Sequence, residues 1–285
     1  MKNRKKLAII CALTLMISCL SVTSSFAKNA NTTLELDSSN TLDQIVLESQ
    51  SYKDMIKNNH DAKLLTRNEM YYKVEIDDKN QVKKTAYSPE EYKAELLKEQ
   101  SNEYTTYSQS LSKSYGWIDV AIYGWYYSSE KWFIEFTYNW TKVPSTQLTD
   151  AIVLGADSNL PIYTETIQAS HTVKTDVRTL SYNYDWSTPD MKSRGANAYG
   201  INVPLGIETQ FETTQNAHGY ISAICTRSTT NTQSGKIYGS YGHRQIGINP
   251  STSFSFSPTS LSFGFALGIT SDEAPISKVF NLFES

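Results

Sequence analysis

The sequence has 285 residues, of which 39% are hydrophobic and 19% are charged, and this composition is typical of a globular protein with one or two folded domains. The formal net charge of −3 provides no excess of basic residues for nucleic acid or an anionic membrane surface. We therefore expect no nucleic acid partner. We also expect no stable membrane span, because no apolar run approaches the required length of about 20 residues.

The first 27 residues have the pattern of a secretory signal peptide. Four basic residues precede the apolar run Leu7–Leu20, and small residues precede a cleavage point after Ala27. An alternative is a lipoprotein anchored at Cys19, but the residues before this cysteine fit that signal poorly. We therefore expect a secreted protein of bacterial type. Its mature chain would have a net charge of −7 and one cysteine, Cys225, which excludes an intramolecular disulfide.

A change in composition predicts the domain organisation. Residues 28–113 include 27 charged residues. Residues 114–285 form a segment twice as long but include only 24 charged residues. We interpret residues 28–113 as a small charged α+β segment. Residues 114–285 are predicted to form an antiparallel β-sandwich, with a barrel as the alternative. The sequence does not predict an oligomeric state.

Local signals predict four elements in the charged segment. The apolar spacing between Thr41 and Lys57 predicts one amphipathic helix. Met70–Ile76 and Val82–Ala86 predict a β-hairpin. Ser88 and Pro89 predict the start of a second helix, because serine caps a helix well and proline suits its first position.

After residue 113 the hydrophobic period changes to two, and glycine, proline, asparagine and serine interrupt the apolar runs. Since side chains alternate across a strand, parity assigns each residue to a face. The even positions of the run 132–140 are all large and apolar: Trp132, Ile134, Phe136, Tyr138 and Trp140. We predict that this face lies in the core.

The preceding run, residues 115–127, is apolar on both faces. Its odd positions form an aromatic row of Tyr115, Trp117, Tyr123, Trp125 and Tyr127, with Asp119 among them. One interpretation is that the charged segment folds over this row through Tyr52, Leu96 and Leu97. The other is an exposed platform, where rings stack on sugars and Asp119 accepts hydrogen bonds from hydroxyl groups.

The exposed platform leads to the first functional hypothesis. It is a secreted, non-catalytic binding protein that recognises a glycan or cell-wall polymer. Its candidate ligand-binding residues are Tyr115, Trp117, Asp119, Tyr123, Trp125 and Tyr127.

The C-terminal region supports an alternative, a membrane-active protein that forms a β-pore. Two runs around residues 254–257 and 261–270 alternate large apolar residues with serine, glycine or alanine. Such a hairpin could insert into a membrane, where strands of about 9 to 11 residues are needed. It could also close an ordinary sandwich core.

Recognisable catalytic motifs are absent from the sequence. It contains no HExxH, CxxC, GxSxG, glycine-rich phosphate loop or calcium-loop spacing, so we assign no catalytic residue, metal or cofactor. Cys225 shares an apolar face with Ile221 and Ala223, which favours a buried thiol. A further alternative is a hydrolase assembled from dispersed residues such as His171 and His218 with nearby carboxylates, and His243 is a third candidate.

Overall fold

The computed structural model describes residues 34–76, 82–103, 115–128, 130–143, 149–189, 191–193, 197–205, 212–244, 253–257, 260–264 and 271–282. The predicted signal peptide and Cys19 lie outside this part of the chain. Within it, no helix is long and apolar enough to cross a membrane. Residues Glu35–Ser285 form one compact unit.

The helices are α1 Thr41–Glu48, α2 Gln50–Asn58 and α3 Pro89–Glu103, and a short 3-10 turn spans Thr164–Thr166. The prediction of one helix over residues 41–57 was wrong. Ser49 interrupts it with an extended backbone (φ −62°, ψ 138°), and its hydroxyl accepts the Tyr52 N–H at 3.1 Å, which caps α2. The start of α3 is as predicted, since Ser88 and Glu91 exchange side-chain to backbone hydrogen bonds.

The strands of the larger sheet are β1 Lys63–Ile76, β2 Val82–Tyr87, β3 Tyr115–Ser128, β4 Lys131–Lys142, β6 Gln168–Thr175, β7 Thr179–Asp185 and β10 Thr214–Thr226. Their order is β2-β1-β3-β4-β10-β6-β7. The smaller sheet contains β5 Thr149–Ala156, β8 Lys192–Ser193, β9 Ala198–Pro204, β11 Ser234–Arg244 and β14 Ser271–Asn281, in the order β14-β11-β5-β9-β8. A separate pair consists of β12 Ser253–Ser257 and β13 Ser260–Gly264.

The two larger sheets pack face to face. The ring of Tyr241 on β11 lies 4.6 Å from the ring of Tyr138 and 5.7 Å from that of Trp140, both on β4. The even face of β4 is fully buried between the sheets, as parity predicts. The antiparallel β-sandwich with a short helical N-terminal part is therefore confirmed, and the described strands do not close into a barrel.

The charged segment joins the larger sheet. Strand β1 pairs with β3 from Lys63 opposite Tyr126 to Glu75 opposite Tyr115. The compositional change near residue 114 therefore falls inside a compact unit and between two hydrogen-bonded strands. Each of α1, α2 and α3 has a side chain in contact with β3.

The β12–β13 hairpin has a regular antiparallel register. Phe254 lies opposite Phe263, and Phe256 lies opposite Leu261, while the intervening positions pair serine with serine or glycine. Directly opposed residues share a face of a β-ladder. The register therefore sorts the apolar positions of this hairpin onto one face, and β13 lies alongside β11 and β14.

Candidate functional site

The structure buries the aromatic row. The exposed fraction of the residue is 2% for Trp117, 0% for Tyr123 and 2% for Trp125. Asp119 is also buried, and Tyr127 is half-buried. The side chain of Tyr115 lies outside the described residues. The exposed platform is thus absent from this conformation, so ligand binding by these residues remains a prediction that requires their cover to move.

Aromatic side chains of the N-terminal segment form the cover. Tyr52 on α2 contacts Trp125, and the ring of Tyr92 on α3 lies 5.0 Å from that of Trp117. Tyr87 on β2 also contacts Trp117, with the ring centroids 5.3 Å apart. Of the residues expected to cover the aromatic row, Tyr52 therefore does so, whereas Leu97 is 67% exposed.

Asp119 lies on the same face of β3 and is not available to a ligand. Burial raises the pKa of its carboxyl to about 7, although a hydrogen bond from Asn139 acts in the opposite direction. Its Oδ1 atom has no hydrogen-bond partner among the described residues. This carboxyl is therefore a desolvated group at the interface with the N-terminal segment.

A second buried carboxyl, Glu135 on β4, lies directly beneath the junction of α1 and α2. Its Oε2 atom accepts hydrogen bonds from the hydroxyls of Ser49 at 3.2 Å and Ser51 at 3.1 Å. The Oε1 atom has no partner in the described part of the chain. Burial raises the pKa of Glu135 to about 8, and the two serine bonds lower it.

Asp43 on α1 is the third buried carboxyl, but a cation faces it. The Tyr123 hydroxyl donates to Asp43 Oδ1 at 2.7 Å, and the Arg67 guanidinium lies 3.2 Å from the same oxygen. Burial raises the pKa of Asp43, and these two partners oppose that effect. This cluster fixes α1 against β1 and β3.

Two of the three candidate histidines are buried, and the third, His218, is half-buried with its Nδ1 atom 2.8 Å from the Asn216 Oδ1 atom. His171 is buried in the core, where its ring nitrogens contact the Tyr138 hydroxyl and the Pro204 carbonyl, and burial lowers its pKa to about 4. His243 is buried beside Asp150, with its Nδ1 atom 3.0 Å from Oδ1. Cys225 is fully buried, and burial raises the pKa of its thiol. The described residues contain no cluster of three potential metal ligands.

A groove that sequence reasoning did not find follows α1 along the outer face of the larger sheet. Its largest part has a volume of about 490 Å³ and is lined by Glu48, Gln50, Gln168, Ser170, Asn183 and Tyr220, among others. A second part of about 420 Å³ lies near Asn139, Asn216 and His218. A narrower part of about 130 Å³ shares lining residues with both, and Glu48 lines all three. We call these three neighbouring depressions together the polar groove.

Strand alternation explains which side chains line the polar groove. The odd residues of β6, such as Ala169 and Val173, are buried in the core, so the even residues Gln168 and Ser170 face outward. The β6–β7 register places Asn183 opposite Ser170. In the sequence, the polar groove is signalled only by polar residues at alternate strand positions, and any solvent-facing strand shows the same pattern.

An exposed tryptophan follows one lining residue. Asp185 lines the groove and accepts hydrogen bonds from the N–H and hydroxyl groups of Ser187, which shapes the turn after β7. Trp186, within this turn, is 50% exposed. It lies outside the aromatic runs of residues 115–127 and 132–140.

Comparison with known proteins gives no family. No family model matches the sequence, and no curated relative matches it. Among solved structures, a pore forming protein matches with 9% identity over 61% of this chain and 94% of that chain, with a TM-score of 0.30. A collagen-binding domain from a Staphylococcus aureus adhesin matches with 10% identity over 38% of this chain and 74% of that chain, with a TM-score of 0.25. The collagen adhesin of S. aureus matches with 9% identity over 75% of this chain and 81% of that chain, with a TM-score of 0.27. Likenesses this distant carry no argument about function.

Proposed function

We propose that the chain is a secreted, non-catalytic binding protein whose polar groove holds a neutral, polyhydroxylated polymer such as a cell-wall glycan. The observation that carries this proposal is the set of amide, hydroxyl and carboxylate groups along the groove. Sugar hydroxyls both donate and accept hydrogen bonds, and the side chains of Asn183, Gln168 and Glu48 offer complementary groups. The basic N-terminal region and the cleavage pattern at Ala27 support secretion.

The charge of the groove favours a neutral polymer over an anionic one. Glu48 and Asp185 contribute carboxylates, and neither lysine nor arginine is among the lining residues that the structure describes. A phosphate or uronate would meet like charge without a guanidinium or ammonium partner. This argument also disfavours nucleic acid.

The experiment measures binding of the mature chain, residues 28–285, to an insoluble neutral glycan and to a phosphate-rich wall polymer. We expect retention on the neutral glycan. Because a lost hydrogen bond costs about 0.5–1.5 kcal/mol, Asn183→Ala should weaken binding about two- to tenfold. Asn231→Ala is the matched control, since Asn231 is an exposed asparagine outside the groove. Equal binding by both variants, or retention on the anionic polymer alone, would contradict the proposal.

A second candidate function is membrane activity through the β12–β13 hairpin. The register that sorts Phe254, Phe256, Leu261 and Phe263 onto one face favours it. Each strand has only five residues, short of the roughly 9 to 11 that span a bilayer, so the hairpin would have to lengthen. Dye leakage from liposomes that Phe263→Ser abolishes would support this function, and intact liposomes across pH and lipid composition would rule against it.

A further inference from the structure

The segment α1–α2, residues 41–58, covers an apolar cluster that is distinct from the core between the sheets. The helices bury Leu42, Ile45, Val46 and Met55 in this cluster. The strands contribute four rings, Tyr123, Trp125, Phe133 and Tyr220. We call the first three the aromatic face. The ring of Trp125 lies 5.5 Å from that of Tyr123 and 5.2 Å from that of Phe133, so the aromatic face is continuous.

Glu135 lies beside this face, at the point where the helical segment is interrupted. Among the described residues, its carboxyl receives hydrogen bonds from Ser49 and Ser51 of this segment. Burial of an ionised carboxylate without a cation is costly, whereas a neutral carboxyl is tolerated. The docked segment therefore fits the protonated form of Glu135.

None of the described groups that face Glu135 is basic. From the helices it meets Ser49, Ser51 and Tyr52, and from β10 it meets Ser222, directly opposite, and Tyr220. On β3 the opposed residue is Tyr123, whose hydroxyl binds Asp43. The nearby Arg67 is held by Asp43 and Glu69.

We propose that the α1–α2 segment is a detachable cover, locked by a neutral Glu135 carboxyl, and that ionisation of Glu135 releases it and uncovers the aromatic face. This device goes beyond the proposed function and does not rest on it. In the released state the aromatic face is exposed. It contains Tyr123 and Trp125 of the aromatic row, whereas Trp117 stays covered by Tyr87 and Tyr92.

The proton equilibrium sets the direction of the switch. The pKa of Glu135 is about 8 in the docked state and takes its ordinary value of 4.5 once water reaches the carboxyl. Between these values the docked state holds a proton that the released state loses. The equilibrium constant for release therefore increases about tenfold per pH unit and levels off above pH 8.

Two other carboxyls at the interface with the N-terminal segment act in the same direction. Asp119 has a raised pKa of about 7 and adds to the dependence up to that pH. Burial also raises the pKa of Asp43, and its ion pair with Arg67 opposes that shift. His218 faces Glu48 on the groove side, and burial lowers its pKa below 6.5. The raised pKa values of Tyr52 and Tyr220 place their ionisation above pH 10.

Hydrogen–deuterium exchange of the full mature chain at pH 6.0, 7.0 and 8.0 tests the switch. After correction for the intrinsic pH dependence of exchange, peptides from residues 41–58 and 121–127 should lose protection about tenfold per pH unit. Glu135→Gln, which cannot ionise, should remove this loss. Asp119→Asn is the control, because Asp119 is a buried carboxyl on β3 that does not bond to Ser49 or Ser51. Its pKa is about 7, so this variant should keep most of the loss of protection between pH 7.0 and 8.0.

Three results would overturn the proposal. These are an unchanged pH dependence in Glu135→Gln, the same change in Asp119→Asn alone, and equal loss of protection in the core strand β11, which would indicate global unfolding. If Glu135→Gln does not fold, Glu135→Met provides a second neutral side chain of similar volume for the same comparison.

Discussion

The phenol ring of Tyr52 on α2 lies 5.7 Å from the indole ring of Trp125 on β3, at an interplanar angle of 51°. This contact joins the charged N-terminal segment to the aromatic row that dominates the sequence. Trp125 also packs against Phe133 on its neighbouring strand, so Tyr52 completes an apolar layer on the outer side of the larger sheet.

Tyr52→Ala should destabilise the cover more than the sandwich. The lost ring contact and burial amount to about 1–2 kcal/mol for a half-buried tyrosine. We expect greater quenching of tryptophan fluorescence by acrylamide, with a smaller change in the midpoint of urea unfolding. Tyr52→Phe keeps the ring and serves as the control. Quenching that does not differ between the two variants would contradict this role.

The free energy of unfolding should fall as the pH rises from 6.5 to 8. Folded Glu135 has a raised pKa of about 8, so its contribution is complete below pH 4.5 and is lost as the pH approaches 8, at about 1.4 kcal/mol per unit. Asp119, with a pKa of about 7, adds to the loss up to that pH. Urea titrations at half-unit intervals measure the slope, and Glu135→Gln should remove most of it above pH 7.

His171 should have the opposite effect at acid pH. Burial lowers its pKa to about 4, so between pH 6.5 and 4 the unfolded chain binds a proton that the folded chain does not. Stability from this group is therefore lost as the pH falls through that window. A variant His171→Gln should show a steeper net loss of stability with rising pH between 4.5 and 6.5, because the opposing contribution is gone. An unchanged slope in that window would contradict this assignment.

Gly239→Ala should destabilise the sandwich. A Cβ atom at Gly239 would lie 2.1 Å from a ring carbon of Phe136 on the facing sheet, which no native contact tolerates. Overpacking of this kind costs about 1–3 kcal/mol. The double variant with Phe136→Leu should recover part of the loss in thermal unfolding, since the smaller side chain makes room. No recovery would place the strain elsewhere.

Trp186→Ala should weaken glycan binding without loss of stability. The indole is half exposed beside the polar groove, where it could stack on the C–H face of a sugar, a contact of about 0.5–1.5 kcal/mol. Val279→Ala is the control, because Val279 is also exposed but lies on β14 of the other sheet. Affinities by calorimetry that match in the two variants would exclude a role for Trp186.

The sandwich could be predicted because alternation is a local property of the chain. Trp132 and Trp140 share the parity of Ile134 and Phe136, and all four are buried as expected. The cap formed by Ser88 was equally readable, since it depends on residues three positions apart.

The functional surfaces were not predictable in the same way. Parity showed that both faces of β3 are apolar, and one of two interpretations named Tyr52 as a covering residue. Parity could not decide between a covered and an exposed row, because Tyr52 and Trp125 are 73 positions apart. Nor could it reveal the polar groove, since Glu48 and Asn183 are brought together only by the packing of α1 on the sheet. The break at Ser49 was missed because the apolar spacing continues through it.

Three consecutive residues at that break link the two sites. Glu48, Ser49 and Gln50 all line the polar groove, and Ser49 also donates to Glu135. A ligand that bridges Glu48 and Gln50 to the strands would hold the segment in place and so favour the proton on Glu135. Because the coupling between two sites is reciprocal, loss of this proton must lower the affinity for the ligand by the same factor. The two sites are thus coupled through Ser49, which lies in both, and the protein would release its ligand most readily in alkaline surroundings.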